Sequence, residues 1–156
     1  MSFAIEEEIT KIMNKDLNNI KLTEKQNIAY NLMCEGKNVF ITGSGGVGKT
    51  KLIKFFTKIY KKSRVIAVTS TTGTSALLID GTTIHSYLGI GFGKASSEIL
   101  IQKINSTPWL KKRWNSLSCL VIDEISMLSP EIFDKLEYIA RVIRKSKLPF
   151  GGIQLI

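Results

Sequence analysis

The chain has 156 residues, which is enough for one domain with a substantial core but too few for two complete ones. Hydrophobic residues make up 44% of it and charged residues 22%, as in ordinary globular proteins, and no apolar run approaches the roughly 20 residues of a membrane span. The formal charge of +9 favours a polyanionic partner, either nucleic acid or an anionic membrane surface.

The N-terminal residues and the cysteines indicate a compartment. Glu6, Glu7 and Glu8 are consecutive acids, which argues against a secretory signal and against a transit peptide. We therefore expect an intracellular protein, with the nucleus as a compatible location. Cys34 and Cys119 are too few for a disulfide framework and have no neighbours at zinc-ligand spacing, so buried, reduced thiols are expected.

The first third of the chain carries helix and strand signals. Residues 1–21 are predicted to form an amphipathic helix followed by a linker. Thr23 opens a second helix, with Gln26 in the capping-box position. The run Asn38–Thr42 is short, rich in β-formers and leads directly into glycines. Residues 49–62 have helical periodicity.

Two clusters of positive charge stand out. Seven basic residues and no acid lie between Lys49 and Arg64, and the second cluster, residues 111–113, is flanked by Trp109 and Trp114. Each cluster is explained equally well by a solvated helix face and by contact with nucleic acid, and the sequence leaves both open.

The middle of the chain alternates between the two element types. Residues 64–69 are predicted to form a buried parallel strand, followed by a polar turn and a short helix through Ala76–Ile79. Residues 89–115 are glycine-punctuated and irregular, with one short helix expected near Ser97–Ile104. A second buried strand is predicted at Ser118–Ile122.

The C-terminal part begins with a strong helix signal. Ser129 is a favourable N-cap, Pro130 suits the first helical position, and Glu131 complements the helix dipole. The helix is predicted to bury one apolar stripe and to end at Pro149, and residues 152–156 look like the beginning of another strand. The stripe consists of Ile132, Phe133, Leu136, Ile139, Ala140 and Ile143.

The alternation of strands and helices predicts an α/β domain with a mostly parallel sheet flanked by helices. We expect this domain to occupy residues 22–156, with residues 1–21 as a separate N-terminal segment. Because the apolar strand runs up to Ile156, the domain is expected to be truncated at its C-terminus and to belong to a longer chain.

The sharpest motif is the segment GSGGVGKT, which matches the phosphate-binding pattern G-x-x-x-x-G-K-[ST] between a predicted strand and a predicted helix. Glycines let consecutive backbone N–H groups curl around phosphate oxygens, and the helix N-terminus adds positive potential. Lys49 is expected to reach the β- and γ-phosphates of ATP, and Thr50 to bind Mg²⁺. The predicted nucleotide-binding residues here are Gly43, Ser44, Gly45, Gly46, Val47, Gly48, Lys49, Thr50 and Lys51.

A phosphate loop of this kind needs an acid at the end of a neighbouring strand to hold the magnesium ion. Asp123 follows four apolar residues and is expected at the carboxyl end of its strand, where open α/β sheets bind ligands. Glu124 is positioned to polarise a water that attacks the γ-phosphate, which favours hydrolysis over transfer to a substrate. We therefore predict Lys49, Asp123 and Glu124 as catalytic. An acidic turn without function is the alternative for the acids alone.

With these motifs in place, the rest of the chain resembles one family. The segment from Leu22 to Gln26 resembles the helicase Q motif, and TGTSA at 72–76 followed by GTTIHS at 81–86 resembles the Ia region and a family signature. The segments DEISML at 123–128 and PFGGIQLI at 149–156 complete the run. In this order and spacing they are similar to the PIF-type (petite integration frequency) helicases, in the RecD-like branch of superfamily one.

The resemblance implies roles for individual residues. Gln26 would hydrogen-bond the adenine edge of ATP. Thr72 and Gly73 would donate to phosphates of single-stranded DNA, and Thr83 and His85 would contact the same backbone. Without the surrounding signature, His85 would be read as a structural residue.

Three aromatic residues could contact DNA, and one residue departs from the family pattern. Phe92, Trp109 and Trp114 are candidates for stacking on bases, although a core position is the commoner role of such residues. The sequence departs from the family at Thr71, where members commonly have proline.

The resemblance implies the first RecA-like motor domain of an ATP-dependent DNA helicase that moves five-prime to three-prime, with a second RecA-like domain in a longer chain. A monomer without membrane association is expected. Alone, the chain is expected to bind nucleotide weakly and to hydrolyse it slowly. One alternative is a shortened nucleotide-dependent DNA-binding module without helicase activity. Another, a clamp-loader-like or transposition ATPase, is disfavoured by the GTTIHS segment.

Overall fold

The structure, a computed structural model, describes residues 22–156, so the helix predicted within residues 1–21 lies outside the described part. The chain divides into two compact units, the first ending at Val65 and also including Ile156, the second spanning Ile66–Leu155. Two helices form the described part of the first unit, α1 (Glu24–Cys34) and α2 (Lys49–Tyr60). The second unit contains β1 (Ile66–Ser70), α3 (Gly73–Leu78), β2 (Thr82–Thr83), α4 (Ile84–Leu88), α5 (Ser97–Ser106), α6 (Pro108–Ser116), β3 (Cys119–Asp123), α7 (Pro130–Arg144) and β4 (Gln154–Leu155).

Helix α1 begins as the sequence predicts. The Gln26 N–H donates to Thr23 Oγ1 at 3.3 Å and the Thr23 N–H donates to Gln26 Oε1 at 2.9 Å, which is a complete capping box. The helix packs on α2 through Tyr30 and Phe55, whose ring centroids lie 5.3 Å apart. The predicted helix at 49–62 is confirmed as α2, and its lysines at 51, 54 and 58 lie on the exposed side.

The strand predicted at Asn38–Thr42 is wrong. These residues have no regular secondary structure, and the side chain of Phe40 is 76% exposed. A strand exists only through its hydrogen-bond ladder with a neighbour, and the described sheet is built from β1 to β4 without this segment. High β-propensity alone therefore did not place the run in the described sheet.

The two cysteines differ in burial. Cys119 lies in the core, as predicted, whereas Cys34 is only half-buried. At Cys34 the guanidinium of Arg64 donates to the backbone carbonyl at 3.0 Å while lying over the ring of Tyr60. Burial raises the pKa of the Tyr60 hydroxyl to about 12.

Four parallel strands in the order β2-β1-β3-β4 make up the sheet of the second unit. Strand β1 is buried along its whole length and pairs with β3 from Ile66 opposite Cys119 to Ser70 opposite Asp123. Both central strands begin and end one or two residues later than predicted, and β4 falls inside the predicted range 152–156. The predicted parallel sheet is confirmed.

Helix α7 covers the core beside this sheet. The Ser129 side chain accepts the Ile132 N–H, as expected of an N-cap, and Leu136, Ile139, Ala140 and Ile143 are buried. Ile132 and Phe133, also predicted to be buried, are half-buried.

The prediction that α7 runs to Pro149 is wrong. The helix ends at Arg144, because Lys145 takes a left-handed conformation (φ 50°) and its N–H, like that of Ser146, bonds back to the last turn.

The Arg144 side chain connects three segments. Its guanidinium donates to the carbonyls of Trp114 at 2.7 Å, Asn115 at 2.9 Å and Leu117 at 3.0 Å, which lie at the C-terminal end of α6. It also donates to the Gly151 carbonyl at 2.8 Å, just before β4. Burial lowers the pKa of this guanidinium. One side chain therefore fixes the segments that lead into β3 and β4.

The excursion between β2 and β3 is more helical than predicted. The helix expected near Ser97–Ile104 is confirmed as α5, but α4 and α6 were not predicted. The Trp114 indole N–H donates to the Leu88 carbonyl at 3.1 Å, and this pairing of α6 with α4 is a tertiary contact that local sequence does not reveal. Within residues 22–156, none of the helices has the length and apolar character that crossing a bilayer requires.

Candidate functional site

The glycine-rich loop leads directly into α2. Gly48 is the N-cap of this helix, with φ 90°, and Gly46 has φ 77°. A Cβ atom on Gly48 would lie 2.8 Å from the side-chain nitrogen of Gln26. The backbone conformation therefore favours glycine at this position, and a Cβ there would also displace the Gln26 amide.

Lys49 folds back over the loop. Its ammonium nitrogen lies 2.6 Å from the Gly43 carbonyl oxygen and 2.8 Å from that of Ser44, and it donates to both. An ammonium group has three hydrogens, so one remains for a further acceptor. The arrangement holds a positive charge directly over the loop backbone, where an anionic ligand would compete with neutral carbonyls for it.

Gln26 connects α1 to the same loop. Its Nε2 donates to the Val47 carbonyl at 3.0 Å, while its Oε1 accepts the Thr23 N–H. The amide has two hydrogens and two lone pairs, so one donor and one acceptor position remain. The side chain is thus held by two hydrogen bonds and keeps one donor and one acceptor position for a further partner.

The N-terminus of α2 completes this group. Lys49, Thr50 and Lys51 are its first three residues, their N–H groups have no partner within the helix, and the first turn contains no acid. Residues 43–47 of the loop and Thr50 are exposed, and Gly48 and Lys49 are half-exposed. Positive glycine φ angles, an ammonium and a helix N-terminus together fit a polyphosphate.

The second group of candidate residues lies in the second unit, at the carboxyl end of β3. Asp123 is the last residue of this strand and is half-exposed; Glu124 is exposed and takes a left-handed conformation, with φ 54°. Glutamate rarely adopts this conformation, which costs about 1 kcal/mol or more. Asp123 is thus a half-exposed acid at the end of its strand, next to an exposed one.

Hydroxyl groups at the end of β1 and on the residue that follows it hold this strand end. Thr69 Oγ1 donates to the Val121 carbonyl at 2.6 Å, Ser70 Oγ to the Asp123 carbonyl at 3.2 Å, and Thr71 Oγ1 to the Glu124 carbonyl at 3.3 Å. None of these positioning residues was predicted from the sequence. A signal was present, because a polar run directly after apolar strand residues is unusual for a strand buried on both faces. At Thr71, the departure from the family pattern, the hydroxyl makes a bond that proline cannot make.

Thr72 and Thr83 both serve as helix N-caps. The Thr72 hydroxyl accepts the Ser75 N–H at 3.2 Å and donates to Ser75 Oγ at 2.9 Å, so its single hydrogen is in use. Thr83 Oγ1 accepts the Ser86 N–H at 3.2 Å, a role that does not use its hydrogen. Gly73 follows Thr72 and is exposed.

The sheet brings these residues together from distant parts of the second unit. Ser70 pairs with Thr83 on one side and with Asp123 on the other, so the carboxyl ends of three strands lie side by side. The candidate residues Thr72, Gly73, Thr83 and Asp123 therefore belong to one edge of one sheet.

His85 is the second residue of α4 and is half-buried. Its carbonyl accepts the Ile90 N–H at 3.1 Å, and its Nε2 lies 3.7 Å from the position of a Cβ on Gly93.

The aromatic candidates separate clearly in the structure. Trp114 is buried in the core, whereas Trp109 is 59% exposed and stacks on the Arg113 guanidinium at 4.9 Å. Phe92 is 91% exposed. The core reading of the sequence analysis is thus right for Trp114 and wrong for the other two.

A family model described as PIF1-like helicase matches residues 21–156. The chain belongs to the PIF1-like helicase family. Among curated proteins it is 53% identical over 143 residues to the uncharacterized protein 030L of invertebrate iridescent virus 6, covering 88% of this chain and 27% of that protein. It is 46% identical over 141 residues to the ATP-dependent DNA helicase PIF1 of Saccharomyces cerevisiae, covering 88% of this chain and 16% of that helicase.

Solved structures of the family share the fold. The Pif1 helicase of Candida albicans matches with a TM-score of 0.82 and 38% identity, covering 87% of this chain and 32% of that one. The Pif1 helicase of Bacteroides in complex with ADP-AlF3 and single-stranded DNA matches with a TM-score of 0.68 and 33% identity, covering 88% of this chain and 32% of that one. The chain therefore corresponds to less than a third of each of these relatives, and its fold is the helicase α/β fold that the sequence analysis expected.

Proposed function

We propose that this chain is the ATP-binding and single-stranded-DNA-binding first motor domain of an ATP-dependent DNA helicase, formed by residues 22–156. In the longer protein, hydrolysis would drive movement along the strand in the five-prime to three-prime direction, with a second RecA-like domain closing the ATP site. We further propose a monomer, active inside the cell. The observation that carries the proposal is the Lys49 ammonium held 2.6 Å from the Gly43 carbonyl, over a loop that opens a helix.

The first unit would bind the nucleotide. Phosphate oxygens would take the Lys49 ammonium from the carbonyls it now bonds and would accept the N–H groups that begin α2, including those of Thr50 and Lys51. Gln26 would use its remaining donor and acceptor on the adenine edge. The contacting residues of the loop would be Gly43, Ser44, Gly45, Gly46, Val47 and Gly48.

Thr50 and Asp123 are proposed to hold Mg²⁺, since a hydroxyl and a carboxylate are the oxygen ligands that this ion takes together with phosphates and water. When bound, the ion neutralises charge that develops on the phosphates during hydrolysis. The exposed carboxylate of Glu124 would accept a proton from the attacking water. Its left-handed backbone, bonded to Thr71, would fix the direction from which it does so.

The sheet edge of the second unit would bind the DNA backbone. The exposed N–H of Gly73, the hydroxyl hydrogen of Thr83 and the His85 ring are the donors proposed for phosphates. Thr72 would act through its cap on α3, because its own hydrogen is given to Ser75. In this proposal Thr72 positions the neighbouring residues, whereas the sequence predicted that Thr72 itself donates to a DNA phosphate.

The proposal is tested by filter binding of a radiolabelled single-stranded oligonucleotide to the purified chain, across a salt series, with and without Mg-ATP. Each phosphate contact is expected to contribute about −0.7 to the slope of log affinity against log salt concentration. Mg-ATP should change the affinity of the natural chain and of the control Lys54→Ala, but not that of Lys49→Ala. Binding that is insensitive to salt contradicts the DNA assignment, and an equal nucleotide effect on all three proteins contradicts the ATP assignment.

A further inference from the structure

We infer that Phe92 is a platform on which one base of the bound single strand stacks. This inference rests on the proposed DNA binding and adds to it a contact that reads the aromatic face of a base, whereas the residues proposed above contact the backbone. Three observations support it: the exposure of the ring, the rigid support of its loop and the position of that loop beside His85.

The ring of Phe92 is presented to solvent. At 91% it has the largest exposed fraction of the large hydrophobic side chains between residues 22 and 156. A side chain that collapsed onto the surface would bury part of this ring and gain free energy from the removal of apolar area from water. An exposure of 91% means that the ring makes little contact with the rest of the described surface and keeps its aromatic faces accessible.

The loop around Phe92 is built to keep that conformation. Gly91 and Gly93 flank it with φ angles of 59° and 71°, and the Gly93 N–H donates to the Ile90 carbonyl at 3.1 Å, which closes a tight turn. A Cβ on Gly93 would lie 3.1 Å from the side chain of Ile132, so the turn is also pressed against α7.

A lysine from α7 fixes the turn in place. The Lys135 ammonium donates to the carbonyls of Gly93 and Ala95, both at 2.8 Å. Charge-assisted bonds to these two loop carbonyls hold the backbone on either side of Lys94. Because the loop is already ordered, little conformational entropy would be lost when a ligand stacks on the ring.

The platform lies beside the proposed backbone contacts. The Ile90 N–H, at the start of the turn, donates to the His85 carbonyl, and Gly93, at its end, approaches the His85 ring. A strand whose phosphate contacted His85 would thus have a base within reach of Phe92.

The chemistry around the ring favours a nucleobase over an apolar partner. The exposed Lys94 lies two residues from Phe92 in a chain of net charge +9, which favours a polyanion. Nucleic acid is the polyanion that also carries aromatic faces, and stacking on a phenylalanine suits every base.

The test measures binding of two oligomers of equal length, one an ordinary oligothymidine and the other a deoxyribose-phosphate chain without bases. Phe92→Ala is expected to weaken binding of the oligothymidine by about 5- to 150-fold, the usual range for one stacked base. The same variant is expected to bind the baseless chain as the natural protein does, and its salt slope should be unchanged because no phosphate contact is lost.

Two further variants sharpen the result. Phe92→Trp keeps an aromatic face and should bind oligothymidine within about twofold of the natural protein, whereas Phe92→Leu keeps an apolar side chain and should lose most of the effect. Leu148→Ala is the matched control, since Leu148 is also a large exposed hydrophobic residue, with 63% of it exposed. It follows the C-terminal end of α7, a 15-residue helix about 22 Å long. The residues of α7 that contact the Phe92 loop, Ile132 and Lys135, lie in the N-terminal half of that helix.

The outcomes separate this inference from the proposed function. If the natural chain binds neither oligomer, the DNA-binding function fails and the inference with it. If the natural chain binds oligothymidine and Phe92→Ala binds it equally well, only the stacking inference is overturned. Equal losses on both oligomers also overturn it, since a stacking contact cannot act on a chain without bases.

Discussion

The glycine loop and the sheet edge are built in different ways, although both carry candidate site residues. The loop is a contiguous stretch, and all but one of its described side-chain contacts lie within a few residues of each other along the chain. The sheet edge is assembled from the ends of three strands, joined by hydroxyl-to-carbonyl bonds such as that from Thr71 to Glu124, 53 residues apart.

This difference shows which perturbations should stay local. A change in the loop acts on the backbone of a few residues and on the nucleotide that they would bind. A change at the sheet edge can remove a hydrogen bond between strands, which alters the free energy of unfolding, or a side chain proposed to act on ATP, which alters the rate of hydrolysis. One contact of the loop is not local: the Gln26 side chain, from α1, donates to the Val47 carbonyl and so links α1 to the loop that precedes α2. The following variants test this comparison.

The largest effect is expected at the sheet edge, from Glu124→Gln. The amide cannot accept a proton from water, so single-turnover hydrolysis of ATP should fall by about 10²- to 10⁴-fold. Nucleotide affinity, measured with a fluorescent analogue, should change by no more than about threefold, since the side chain is exposed and not expected to contact the phosphates. Glu131→Gln, an exposed acid on α7, serves as the control. Unchanged hydrolysis in Glu124→Gln would remove Glu124 from the catalytic set.

In the loop, Gly48→Ala is expected to lower the free energy of unfolding by about 1–3 kcal/mol, because a Cβ is strained at positive φ and collides with the Gln26 amide. Gly45→Ala is the matched control, since no atom lies within 4 Å of its Cβ position. It should change stability by no more than about 0.5 kcal/mol. Urea unfolding measures both. Equal losses of unfolding free energy in the two variants would show that the positive φ of Gly48 and its contact with Gln26 do not determine the cost.

The link between α1 and the loop is tested with Gln26→Glu. The carboxylate can still accept the Thr23 N–H, so the capping box and the helicity measured by circular dichroism should remain. It cannot donate to the Val47 carbonyl, and its charge opposes phosphate, so nucleotide affinity should fall by about tenfold. Gln26→Ala should also lose the bond from the Thr23 N–H, while the Thr23 side chain still accepts the N–H of residue 26, at a further cost of about 0.5–1 kcal/mol. If Gln26→Glu binds nucleotide normally, the link has no role in binding.

The smallest effect is expected from Thr71→Val, which removes only the hydroxyl. Its bond to the Glu124 carbonyl is 3.3 Å long and partly solvent-accessible, so the stability loss should be about 0.5 kcal/mol. Thr69→Val is the buried counterpart, with a 2.6 Å bond to the Val121 carbonyl, and should cost about 1–2 kcal/mol. Thermal unfolding ranks the two. A larger loss at Thr71 would mean that the strained Glu124 backbone depends on this bond.

Several elements could be predicted because their signals lie within three or four residues of each other. The capping box of Thr23 and Gln26 and the Ser129 cap are both present as expected. Other elements could not be predicted, because they depend on distant partners. Residues 38–42 have the composition of a strand but no ladder, and α6 is stabilised by a tryptophan that bonds to α4.

The sequence by itself determined the phosphate-loop motif, the family and the parallel α/β fold, because glycine conformations, helix caps and apolar periodicity are local properties of the chain. Only the tertiary structure decided which hydroxyls bond to the end of β3 and that the Thr72 hydroxyl donates to Ser75. It also decided that Phe92 is exposed on a turn to which Lys135 donates. Hydrogen bonds and burial depend on which distant groups meet, and pairing in the sheet and packing of α7 bring those groups together.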